Sequence, residues 1–73
     1  MNSRPTCKWI LRGVLVAGKR CDGETMAPDA RTAVVHLAAR LARERKVDIA
    51  AAVRGALEDP YKKVEASTEP TAP

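Results

Sequence analysis

The chain has 73 residues and a formal net charge of +4, and Trp9 and Tyr61 are its only aromatic residues. A chain of this length forms one domain with a small core, built here from Leu, Val, Ile and Ala. Such a core can hardly supply the walls of a catalytic cleft, which argues against an enzyme. The apolar fraction of 45% argues against global disorder.

The positive charge is concentrated at the N-terminal end. Residues 1–20 contain five bases and no acid, whereas residues 58–73 contain two bases and four acids. This asymmetry predicts an N-terminal surface attracted to nucleic acid or to an acidic protein. The apolar run 14–17 is too short for a signal sequence or a membrane span, so we expect no membrane association.

The basic segment 7–26 favours short strands. Its apolar residues are largely β-formers, and the dipeptides Ala17-Gly18 and Asp22-Gly23 are typical of turns. A helix over residues 7–16 is the alternative, because short apolar runs are ambiguous. The predicted strands cover about residues 8–12, 14–17 and 19–21, with 24–26 as an optional addition.

Residues 28–58 predict two amphipathic helices. Apolar residues recur three and four apart from Val34 to Leu41, and again from Ile49 to Leu57. The first helix should run from about residue 28 to 45, with a tight turn at residues 46 and 47. Asp48 is positioned to cap the second helix, and Pro60 should end it.

These elements predict a small α+β fold, in which short antiparallel strands pack on the helix pair. Three short strands cannot bury two faces alone, so their apolar side should lie against the helices. The domain is expected to cover residues 1–63. Residues 64–73 are without periodicity and contain two prolines, which predicts a disordered tail.

No metal, cofactor or catalytic site is expected. Cys7, Cys21 and His36 are the only soft ligands, whereas a structural zinc site has four at recognisable spacings. No nucleophile motif or phosphate-binding loop is present. A disulfide between the cysteines is geometrically possible, but reduced thiols in a cytoplasmic protein are the expectation.

The candidate binding residues are cationic side chains and one aromatic. In the N-terminal segment four bases flank Trp9, which is either the main core aromatic or the anchor of an interface. On the first helix, basic residues form a stripe that is either a solvated face or a docking surface. The predicted partner-binding residues are Lys8, Trp9, Arg12, Lys19, Arg20, Arg40 and Arg43.

Two DNA-binding interpretations compete for the helix pair. In a helix-turn-helix, Arg54 would read bases, although the rest of IAAAVRGAL is apolar or small. The stretch HLAARLARERKVDIAAAVRGAL resembles the two helices of ribbon-helix-helix antitoxins. That resemblance covers about residues 30–57 and implies a dimeric DNA-binding ribbon, which that family builds from a short strand at its N-terminus.

In length, alanine- and arginine-rich helices and basic strand segment, the whole chain resembles the small bacteriophage proteins that regulate host RNA polymerase. The resemblance implies sigma-factor displacement at initiation and antitermination during elongation. It implies docking on the large polymerase subunits near the RNA exit channel, with a secondary contact to nascent RNA. A monomer in the cytoplasm of the bacterial host is then expected. The alternatives are a DNA-binding repressor or antitoxin, or an architectural phage or plasmid protein.

Overall fold

The chain forms a β-hairpin from strands β1 (Cys7–Val16) and β2 (Lys19–Ala27). The structure is a computed structural model that describes residues 6–67. Ala17 and Gly18 connect the strands, with φ of 52° and 81°. Positive φ at both positions is typical of the two-residue turn whose twist matches an antiparallel hairpin, so the turn predicted at Ala17-Gly18 is confirmed.

A β-bulge joins the first two predicted strands into one. Between the cross-strand pairs Leu11–Gly23 and Val14–Cys21, β1 has two residues and β2 has one. One of the two is Gly13, whose φ of +67° is a conformation that only glycine adopts without steric cost. The extra residue resets the alternation of side chains, so apolar residues on both sides of the bulge face the same way.

The turn predicted at Asp22-Gly23 is wrong, because both residues lie within β2. The Asp22 carboxylate accepts a hydrogen bond from the Gly13 amide at 2.9 Å, which links β2 to the bulge. Gly23 leaves space for a helix side chain, since an added Cβ would lie only 2.7 Å from Leu37 Cδ1. The alternative of a helix over residues 7–16 is also wrong, because this segment is a strand.

The first helix, α1 (Ala30–Arg45), begins two residues later than predicted. Asp29 is its N-cap, and the side-chain oxygen accepts from the Thr32 amide at 2.7 Å. The helix ends at Arg45, and Lys46 is its C-cap in the left-handed conformation, with φ of 59° and its N–H donating to carbonyls of the last turn. The tight turn predicted at residues 46 and 47 is confirmed.

The second helix, α2 (Ile49–Glu58), has Asp48 at its N-cap, as predicted. The Asp48 side chain makes no capping hydrogen bond, so the predicted carboxylate contact is absent. At the other end, the Asp59 amide donates to the Gly55 carbonyl at 3.2 Å. Pro60 follows directly, and proline disfavours helical conformation in the residue before it.

The strand β3 (Lys63–Ala66) pairs antiparallel with β1 and gives the sheet the order β2-β1-β3. It corrects the predicted start of the disordered tail at residue 64; residues 68–73 lie outside the described part of the chain. Without β3, one side of the central strand would present unpaired backbone groups. The fold is therefore α+β, with three antiparallel strands and two helices in residues 6–67.

The core lies between one face of the sheet and both helices. Its largest fully buried side chains are those of Leu11, Val14, Val16, Val34 and Leu37. Six buried alanines complete it, at positions 27, 33, 38, 42, 52 and 56. Because alanine buries little apolar area, the leucines and valines carry a large share of the hydrophobic stabilisation.

We predict that Leu37→Ala lowers the free energy of unfolding by about 2–5 kcal/mol, because Leu37 is fully buried against Gly23. Leu41→Ala should cost less, because Leu41 is only partly buried at the margin of the core. Urea denaturation of both variants measures the difference. Equal losses would contradict the packing described here.

Candidate functional site: the open face of the sheet

The two faces of the sheet differ in what covers them. Both helices pack on one face, and no element of residues 6–67 covers the other, which we call the open face. Its side chains alternate with the buried ones along each strand. They belong to Lys8, Ile10, Arg12, Leu15, Arg20, Asp22, Glu24, Met26, Lys63 and Glu65.

Two of the N-terminal bases are matched by acids from elsewhere in the chain. Lys8 Nζ lies 3.2 Å from Glu24 Oε1 across β1 and β2, and both side chains are about half exposed. Arg20 forms a salt bridge with Asp59, 39 residues away. The charges of Lys8 and Arg20 are partly neutralised within the fold. The positive charge available to a partner is therefore smaller than the excess of bases in residues 1–20 suggests.

Arg20 ties the hairpin to the segment after α2. Its Nη1 donates to Asp59 Oδ2 at 2.5 Å and to the Gly13 carbonyl at 2.9 Å. The guanidinium also lies 5.7 Å from the centroid of the Tyr61 ring, within cation–π range. Asp59 is buried, and it needs this partner because an unpaired buried charge is costly.

The Arg20–Asp59 contact shifts both ionisation equilibria. The hydrogen bond from Arg20 lowers the pKa of the Asp59 carboxyl, against an opposing effect of burial. The same hydrogen bond raises the pKa of the Arg20 guanidinium. Each charged form is therefore stabilised by the other.

Arg12 and Lys63 lie directly opposite each other on β1 and β3. Both are exposed, and neither forms a salt bridge within residues 6–67. Like charges facing each other across a sheet are destabilising. The partly buried Ile10 lies two residues along the same face from Arg12, so a cationic pair without a salt-bridge partner in residues 6–67 adjoins apolar surface.

Trp9 lies on the other side of the sheet from Lys8 and Arg12. Its side chain is partly buried against the core, and the indole N–H donates to the Ala27 carbonyl at 3.0 Å. Of the two interpretations drawn from the sequence, this is the geometry of a core aromatic whose polar atom is satisfied within the chain.

The remaining predicted residues lie in two further places. Lys19 is exposed at the tip of the hairpin, where β2 begins. Arg40 and Arg43 are exposed on α1 beside His36, and neither arginine has a salt-bridge partner in the described residues. The seven predicted residues therefore do not form one site, and only Lys8, Arg12 and Arg20 share the open face.

Sequence reasoning missed several residues of the open face. Ile10, between Lys8 and Arg12, follows the alternation that marks one face of a strand, and that signal was present in the sequence. Leu15 lies beyond the bulge, where the alternation is reset. Lys63 was missed because β3 itself was not predicted.

Residues 6–67 contain no group of three or more His, Cys, Asp or Glu side chains that could hold a metal ion. Both cysteines are free thiols, and they lie at different ends of the hairpin ladder. No helix of this region is long and apolar enough to cross a membrane.

The Arg20–Asp59 contact predicts a specific acid sensitivity. Because the folded-state pKa of Asp59 is lowered, the stabilisation is present above the ordinary Asp pKa and is lost as pH falls through the folded value. Asp59→Asn should therefore melt at lower temperature than the wild type at pH 7. The difference in melting temperature should begin to narrow as pH falls below the ordinary Asp pKa of about 3.9, and it should vanish once pH has passed below the lowered folded-state pKa of Asp59.

Thermal melts between pH 7 and pH 2 test this. Glu44→Gln is the matched control, because Glu44 is exposed on α1 and makes no salt bridge within residues 6–67. It should keep the wild-type pH profile. If the difference in melting temperature between Asp59→Asn and the wild type stayed constant over this pH range, the ion pair would not contribute to stability.

Comparison with protein families, curated proteins and solved structures gives no match to this chain.

Proposed function

We propose that this protein is a binding module that regulates transcription by contacting bacterial RNA polymerase through the open face of its sheet. It acts in the cytoplasm of the bacterial host, as phage regulators of this kind do. It uses no cofactor and catalyses no reaction. Its partner surface lies on the large polymerase subunits near the RNA exit channel.

The observation that carries the proposal is the Arg12–Lys63 pair. Two exposed cations face each other across neighbouring strands, and neither forms a salt bridge within residues 6–67. An acidic partner surface would relieve their repulsion on binding, so these two residues favour the complex more than they favour the free fold. RNA phosphates offer the same charge, which accounts for a secondary contact with nascent RNA.

Apolar side chains of the open face would supply the rest of the binding energy. Met26 is 55% exposed, and Ile10 and Leu15 are partly exposed. A partner covering them removes apolar surface from water, while the cations at the margin set orientation and association rate. Bound near the exit channel, a domain of this size would compete sterically with sigma factor or with a terminator hairpin.

The choice of polymerase as partner rests on the resemblance in length, composition and charge described above. The geometry supports a surface for an acidic, partly apolar partner. Action as a monomer is consistent with the open face, because one chain forms the whole of this binding surface.

We predict that Lys63→Glu abolishes binding without weakening the fold. Placing Glu opposite Arg12 replaces repulsion by a cross-strand ion pair, worth about 0.2–1 kcal/mol in favour of folding. A tagged variant should therefore melt no lower than the wild type, yet fail to retain purified core RNA polymerase at low or high salt.

Arg43→Glu is the control, because it makes the same charge change on α1, away from the open face. It should retain polymerase like the wild type. Equal retention by Lys63→Glu would refute the role of the open face. Failure of the wild type to retain polymerase would refute the choice of partner.

The second candidate function is DNA binding by a repressor or antitoxin of the ribbon-helix-helix or helix-turn-helix type. It is favoured by the exposed ridge of Arg40 and Arg43 on α1, which lacks acidic partners in residues 6–67, and by the strand that leads directly into α1. In ribbon-helix-helix proteins that strand pairs with a second subunit, whereas β2 pairs here with β1.

Salt dependence separates the two functions. A DNA complex made through many phosphate contacts loses orders of magnitude in affinity as salt rises. Arg43→Glu should then weaken binding, and Lys63→Glu should have little effect. The opposite pattern supports the polymerase-binding proposal.

A further inference from the structure

The apolar side of α2 includes residues that the core does not fully bury. Only Ala52 and Ala56 of this helix are buried. Ile49, Val53 and Leu57 recur every four residues on a neighbouring line of the helix, and none of them is fully buried. Ile49 is 39% exposed. Val53 and Leu57 pack partly against the core, and each of the three side chains keeps some apolar surface for a partner.

Two adjoining hollows follow this stripe, and together we call them the helix groove. The larger, of about 580 Å³, is lined by Arg31, Ala50, Val53, Arg54, Leu57 and Glu58. The smaller, of about 350 Å³, shares Arg31 and Leu57 with it and extends to Val34, Pro60, Lys62 and Val64. The groove thus runs from α2 across the start of α1 towards β3.

The dimensions of the groove suit a helix. Ala50 and Leu57 both line it, and seven residues of helix at 1.5 Å each span about 10 Å, close to two helical turns. An amphipathic helix laid along this line would place apolar side chains at three- and four-residue spacing against Val53 and Leu57. Grooves of this kind commonly bind helices through such anchors.

The rim of the groove is cationic. Arg31 and Arg54 are exposed and form no salt bridge within residues 6–67. Lys62 adds a third charge, with its Nζ held by the carbonyls of Leu57 at 3.1 Å and Asp59 at 2.6 Å. Of the acids in residues 6–67, only Glu58 lines either hollow. The groove therefore favours an occupant with acidic flanks.

We propose that the helix groove binds an amphipathic helix of a partner protein, with an apolar stripe along Val53 and Leu57 and acidic side chains towards Arg31 and Arg54. A second copy of this chain suits the groove less, because it would bring the same excess of cations to the interface. Nucleic acid would leave the apolar floor of the groove unused.

The groove and the open face lie on opposite sides of the domain. The helices cover one face of the sheet, and the groove is formed largely by those helices. Both surfaces can be occupied at once, so the protein can connect two partners. The proposal does not depend on the identity of the partner at the open face.

The test uses a fluorescein-labelled amphipathic peptide of about 14 residues, long enough for about four helical turns, with leucines on one face and glutamates beside them. One control peptide has the same composition in permuted order, so that the leucines are spread around the helix. A second replaces each glutamate by lysine. Binding to the full chain is followed by fluorescence anisotropy.

We expect the acidic amphipathic peptide to bind at least about tenfold more tightly than either control peptide. Arg54→Glu should weaken that binding by at least about tenfold, since it removes one cation and adds a repulsive charge. Arg43→Glu, the same change on the exposed ridge of α1, should leave it unaltered. Circular dichroism verifies that both variants are folded, and amide shifts of Ala50, Val53 and Leu57 locate the peptide.

Three results would overturn the proposal. The first is equal affinity for the permuted peptide, or peptide-induced shifts confined to another surface. The second is tighter binding of a labelled single-stranded oligonucleotide that Arg54→Glu abolishes. The third is a concentration-dependent dimer in analytical ultracentrifugation that the same substitution dissociates. The Lys63→Glu variant should bind the peptide as the wild type does. A result against the helix groove can therefore be distinguished from a result against the open face.

Discussion

The β-bulge at Gly13 is the constraint on which the rest of the structure depends. One extra residue in β1 brings Leu11 and Val14 to the same face, so the strand presents apolar side chains to the helices along its whole length. The bulge also exposes the amide and carbonyl of Gly13 to side chains of β2. Asp22 and Arg20 bind those two groups, and Arg20 reaches on to Asp59. A single irregularity thereby aligns the core and connects the hairpin to the end of α2.

The small core side chains of α2 are accompanied by larger apolar side chains that remain partly exposed. The second helix contributes only Ala52 and Ala56 to the buried core, and its larger apolar residues are at most partly buried. Val53 and Leu57 therefore lie at the margin, where they line a groove. The open face has a different origin, since a sheet of three strands with helices on one side has no second layer.

The helix pair and the first turn could be predicted from the sequence because their signals are local. Periodicity, capping residues and a turn dipeptide depend on neighbours a few positions away. The bulge, the path of β2 through Asp22 and Gly23, and the pairing of β3 could not, since each depends on a partner strand or on Leu37. The candidate site was predicted in part. The charges of Lys8, Arg12 and Arg20 were recognised. The roles of Glu24, Asp59 and Lys63 could not be predicted, because each is paired with a residue far away in the sequence.

The sheet order has a consequence for solubility. With β1 in the centre, the nine-residue β2 is an edge strand whose outer backbone groups have no ladder partner in residues 6–67. An edge of this length is a template on which another chain can add a strand and begin a fibril. Charged residues of both signs occur along it, at Lys19, Arg20, Asp22 and Glu24. An incoming strand would have to desolvate them, so Arg20, Asp22 and Glu24 of the open face, together with Lys19 at the hairpin tip, also protect this edge against self-assembly.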